Sequence, residues 1–138
     1  MEPVQLIQSI EQVGCFLQAE GENVRIFNSN RLPDYLINEL RTNKCSVLKI
    51  MDRDDKAKMA GFIIALPGEL YTSTLSKVSV VYIERIGNQW QVWREMYQSN
   101  KEKAVSCKHI FTSGTFELVL LKAKSYFDYI GRIKEGSN

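Results

Sequence analysis

"GCFLQAEGENVRIFNSNRLP" spans Gly14 to Pro33 and decides how the first part of the chain folds. Cys15, Leu17 and Ala19 alternate with Phe16, Gln18 and Glu20. Val24 and Ile26 alternate with Arg25 and Phe27. A period of two marks a strand with one half-buried face. Gly21, Glu22 and Asn23 stand between the runs. Glycine accepts positive φ without steric cost and asparagine tolerates it, so a tight turn is predicted here. "NSN" at 28–30 reads as loop. A two-stranded hairpin is marginal alone and needs other elements against one face.

Those elements flank it. Pro3 opens a helix at its first position. Ile7, Ile10 and Val13 follow at helical spacing, with Leu6 beside them, and Gly14 stops the helix. After the hairpin, Pro33 starts a second helix with Asp34 in its first turn, where negative charge suits the dipole. Leu36, Ile37, Leu40, Val47, Leu48 and Met51 form one apolar stripe along it. The order is helix, hairpin, helix. The outer edges of the hairpin are left without strand partners, which makes them templates for another strand.

Residues 4–51 resemble the TubC-type N-terminal docking domains of polyketide and nonribosomal peptide assembly lines. The resemblance rests on "LIQSIEQVG", then "CFLQAEGENVRI", then proline and "DYLINELRTNKCSVLKIM", with Lys44 at the family's late lysine. It covers about a third of the chain. It implies a small αββα unit, often dimeric, that captures a short partner segment by adding a strand to the hairpin edge. By the same resemblance the strand Val24, Arg25, Ile26, Phe27 is the partner-binding edge, with Arg25 as its charged reader. Leu32 stands before the proline where the family favours threonine or serine. The chain then continues into a basic segment and not into a condensation or ketosynthase enzyme, so the resemblance implies the docking architecture.

"DRDDKAK" at 52–58 reads as a charged connector, dividing the chain into an αββα docking-like domain at 1–53 and a basic domain at 54–138. Met59, Phe62, Ile63 and Leu66 have helical spacing, so a short helix over 59–66, capped by Asp54 or Asp55, is favoured over a buried strand. Pro67-Gly68 ends it either way. "SVVYIERI", "WQVWREMY" and "AVSCKHIF" are rich in branched and aromatic residues and read as strands, the first two joined by a tight turn at "GNQ". A helix follows "TSGT", with Phe116, Val119, Leu120, Ala123, Phe127 and Ile130 on one side, and Gly131 marks its end. The second domain is thus a βββα antiparallel meander covered by a C-terminal helix, and the fold class is α+β.

The 138 residues are 44% hydrophobic and 25% charged, enough to bury a core without disulfides or metals. Residues 1–55 carry nine acids against six bases, and residues 56–138 seven acids against twelve bases. Such asymmetry suggests that the two halves face different partners. No apolar run approaches the ~20 residues of a membrane helix. "MEPVQLIQSI" lacks a basic n-region. Cys15, Cys45 and Cys107 are odd in number, far apart and outside any CxxC, as reduced thiols of a cytoplasmic protein would be.

Trp90, Val92 and Met96 share one face of their strand; Trp93, Glu95 and Tyr97 share the other. One helix buries one face only, so one tryptophan is left to a second layer or to solvent. Trp93 and Tyr97 could stack a nucleotide base, with Lys101, Lys103 and Lys108 on phosphate. Packing is the commoner use of such residues. His109, the sole histidine, groups with Val105, Cys107 and Phe111 by alternation. Cys107 and His109 stand roughly 7 Å apart along the strand, too far for a simple nucleophile–base pair. There is no P-loop and too few His and Cys for a typical metal site. The expectation is a non-enzyme without cofactor: a docking protein for a partner segment or its own copy as a homodimer. A nucleic-acid-binding accessory protein is the alternative.

Overall fold

The computed structural model describes residues 1–97 and 104–136. Its architecture is α+β and divides into two compact units, Met1–Lys56 and Ala57–Asn138, each with its own core.

In the first unit, α1 (Pro3–Gln12) buries Leu6, Ile7 and Ile10. Gly14 ends it at φ 87°. The Gly14 N–H donates to the Glu11 carbonyl (3.0 Å) and the Cys15 N–H to the Ile10 carbonyl (3.2 Å). This paired pattern is a Schellman cap, and the buried Cys15 and Ile10 are its apolar clasp. The chain leaves the cap directly into β1 (Phe16–Glu20), which pairs antiparallel with β2 (Asn23–Phe27). Gly21 has φ 62° and Glu22 does not share the positive φ, the pattern of a type II′ turn. A short 3-10 turn (Ser29–Arg31) leads to α2 (Asp34–Thr42) and α3 (Lys44–Met59). Leu17, Val24 and Ile26 pack against a core of Leu6, Ile10, Cys15, Leu36, Leu40, Val47 and Ile50.

Two expectations fail here. The single helix after Pro33 is two, broken at Asn43 (φ −107°, ψ 15°), whose Nδ2 donates to the Glu39 carbonyl at 2.8 Å. The "DRDDKAK" connector is helix, the later part of α3. Its charges satisfy helix propensity and form an i,i+4 pair, Lys56 to Asp52 at 2.9 Å. Asp54 and Asp55 therefore lie inside α3 and not at the start of a new helix.

The second unit begins with the same cap. Gly61 has φ 88°, its N–H donates to the Lys58 carbonyl (3.0 Å), and the Phe62 N–H donates to the Ala57 carbonyl (2.9 Å). The helix expected over 59–66 is overturned, because this cap ends α3 and Ile63–Leu66 is a strand, β3. A further strand, β4 (Leu70–Ser76), also went unread. With β5 (Ser79–Ile86), β6 (Gln89–Tyr97) and β7 (Ala104–Ser113) they make a five-stranded antiparallel meander, wider than the three strands expected. α4 (Phe116–Gly136) covers one face and runs past Gly131, which does not end it. Beneath it lie Tyr71, Val81, Ile83, Trp90 and Val92, meeting Phe116, Val119, Leu120 and Ala123. Tyr71 and Trp90 flank the Phe116 ring, with centroids 5.6 and 4.9 Å from it.

Candidate functional site

The hairpin of the first unit has a defined hydrogen-bonding sense. Its two-residue turn closes on the pair Glu20–Asn23, and pairs alternate from there: Ala19–Val24, Gln18–Arg25, Leu17–Ile26, Phe16–Phe27. In such a hairpin the closing pair exchanges both backbone bonds and every second pair repeats it. It follows that Arg25 addresses β1, while the N–H and C=O of Val24 and Ile26 point to the free edge of β2. The side chains of Val24 and Ile26 are half-buried, and Arg25 and Phe27 are exposed.

A cleft of about 240 Å³ runs along this edge, lined by Asn23, Val24, Ile26, Ile37, Leu40, Arg41 and Lys44. Its floor is apolar and its rim is basic. The Lys44 ammonium donates to Asn23 Oδ1 at 2.9 Å, tying the start of α3 to the start of β2. On the β1 side a shallower depression of about 330 Å³ is lined by Ala19, Gly21, Leu48, Lys49, Asp52 and Asp55. The two edges of the hairpin thus differ in sign.

Arg25 does not line the cleft. Its guanidinium lies on the other face, 3.4 Å from Glu20 Oε1 and 4.7 Å from the centroid of the Phe27 ring. The basic groups beside the edge are Arg41 and Lys44. Arg41 was missed, since its position depends on how α2 lies along β2. Lys44 was noticed only through the family pattern.

In the second unit the sheet face away from α4 carries a different cluster. Tyr82 and Trp93 are cross-strand partners whose rings stack at 4.3 Å and 12°. Glu95 and Tyr97 follow on the same face of β6, and the Tyr97 hydroxyl donates to Glu95 Oε2. That bond, a second one to Tyr82 and partial desolvation raise the Tyr97 phenol above its ordinary range. The expected split of the tryptophans is present: Trp90 is buried under α4 and Trp93 is half-exposed on the opposite face.

Of the candidate nucleic-acid contacts, the one described lysine stands apart from the aromatics. Lys108 pairs with Arg94 on the helix side, its ammonium 5.8 Å from the Tyr126 ring centroid, and so lies on the face opposite Trp93 and Tyr97. Lys101 and Lys103 lie outside the described residues. A bulge where β7 pairs with β6 separates His109, opposite Trp93, from Phe111, opposite Val92. His109 and Phe111 therefore face opposite ways, against the simple alternation. His109 Nε2 bonds the Thr112 hydroxyl, and Cys107 is an exposed free thiol opposite Glu95. Among the described residues no three His, Cys, Asp or Glu side chains converge as metal ligands, and no helix is long and apolar enough to cross a membrane.

Comparison of the chain with known family models, characterised proteins and solved structures finds no match.

Proposed function

We propose that the chain is a non-catalytic docking protein whose first unit captures an extended segment along the free edge of β2. The observation that carries this reading is the cleft itself. An unpaired strand edge, with the Val24 and Ile26 amides turned outward, borders an apolar floor of Ile37 and Leu40. Backbone pairing supplies affinity in such recognition, and side chains beside the edge supply selectivity. Arg41 and Lys44 favour a segment with acidic side chains alternating with apolar ones. The resemblance to docking domains supports the same edge. A second copy is the alternative occupant of that edge, pairing across a two-fold axis.

The test is a peptide of alternating aspartate and valine titrated into the full chain and followed by amide NMR and hydrogen exchange. Val24 and Ile26 amides should shift and gain protection, and Arg41→Glu with Lys44→Glu should weaken binding. Val24→Pro removes one outward donor and should abolish binding. The same variant should also abolish any concentration-dependent assembly seen by sedimentation. Undiminished binding and assembly by Val24→Pro, with its circular dichroism intact, would refute the edge.

A further inference from the structure

We infer that the open face of the second unit's sheet is a docking surface for a cationic protein segment, one that presents arginine or lysine side chains. This goes beyond the β2 edge and does not depend on it. The face is built by register. Ile63, Thr72, Tyr82, Trp93 and His109 form one row across the strands, and Val80, Glu95 and Cys107 form the next. α4 packs on the other side, and among the described residues no helix of this unit packs on this one. Ile63 and Leu66 are 68% and 49% exposed at its margin.

Its electrostatics choose the partner. The unit is rich in lysine and arginine, yet among the described strand residues none stands on this face: Arg85, Arg94 and Lys108 all lie on the helix side by register. The charges that remain are carboxylates, Glu84 and Glu95, both on the open face. Glu95 is held by the Tyr97 hydroxyl beside the Tyr82–Trp93 stack. Aromatic faces with a fixed carboxylate alongside attract guanidinium and ammonium groups through the ring quadrupole and the full charge together. The same arrangement repels phosphate, so a nucleic-acid strand is disfavoured here.

The probe is an octapeptide of alternating arginine and serine, titrated into the full chain by calorimetry and by tryptophan emission. An octapeptide of alternating glutamate and serine and an oligothymidylate serve as controls. The chain carries a net charge of +2, so unspecific attraction of a basic peptide is not expected. The arginine peptide should bind saturably and perturb Trp93 emission. Glu84→Gln with Glu95→Gln should weaken it roughly tenfold, about threefold per carboxylate multiplied together. Trp93→Leu should remove both signal and affinity. Where Trp93→Leu fails to fold, the double glutamine variant, which keeps the stack, decides alone. Equal binding of the arginine and glutamate peptides, tighter binding of the oligothymidylate, no binding of the arginine peptide, or an undiminished affinity in the glutamine variant would each overturn the inference.

Discussion

The two units open alike and finish differently. Each leaves a helix through a Schellman cap, Gly14-Cys15 in one and Gly61-Phe62 in the other, and each steps straight into an antiparallel hairpin. The first stops at two strands and closes its core with helices, leaving backbone edges open. The second runs on to five strands and seals one face with α4, leaving a side-chain surface open. An open edge offers N–H and C=O groups at fixed spacing. An open face offers rings and carboxylates. The same opening device therefore leaves two kinds of exposed surface, set by how many strands follow it.

The sharpest way to break this comparison is to empty each core in turn. Ile10→Ala and Ile83→Ala, both at fully buried positions, should each cost about 2–5 kcal/mol. Amide NMR during urea unfolding should show the loss confined to the unit that carries the change. Equal loss in both units would mean that they fold as one.

Next in size is the hairpin's hydrogen-bonding sense. Arg25→Pro removes a donor that faces β1 and should cost about 1–3 kcal/mol, since the ladder bond to Gln18 is lost. Val24→Pro removes an outward donor and should cost less. Thermal melts of the pair would reverse in order if the ladder ran in the other sense.

The two caps come third. Gly14→Ala and Gly61→Ala force a side chain into left-handed backbone at about 1–2 kcal/mol each. Gly14→Ala should be the worse, because its Cβ would meet Arg31 Nη1 at 3.0 Å while nothing lies within 4 Å at Gly61. Urea midpoints for both would test the ranking.

The smallest effect belongs to Tyr97. Its phenol is raised above the ordinary value near 10, chiefly by donating to Glu95. A raised pKa contributes stability that is complete below about 10 and is lost as pH climbs through the raised value. Tyr97→Phe should lower neutral stability slightly and flatten the alkaline decline by the same small amount, read as urea midpoint against pH.

Much of this was legible along the chain where a period was clean. The alternation in 15–27 marked both strands of the first hairpin, and the branched and aromatic residues of 79–86 and 90–97 marked the centre of the meander. β4 was not legible, because "LYTSTLS" is rich in hydroxyls and Tyr71 is its one fully buried side chain. β3 was ambiguous, a four-residue apolar run whose partner decides its state. The charged run at 52–58 looked like a linker because lysine and aspartate suit a solvated helix as well as a loop. The cleft was half legible. The hairpin announced its free edge, but Arg41 reaches it only through the placement of α2, which no local pattern encodes. The bulge that turns Phe111 away from His109 likewise leaves no mark in composition.

One consequence follows from the way Val24 and Ile26 are set. Their side chains face inward and their amides outward, so the edge presents the same backbone whichever apolar residue stands there. Substitution at 24 and 26 is then judged by the fold alone, and on the docking reading proposed above substitution at 41 and 44 changes the choice of partner while the hairpin stays as it is.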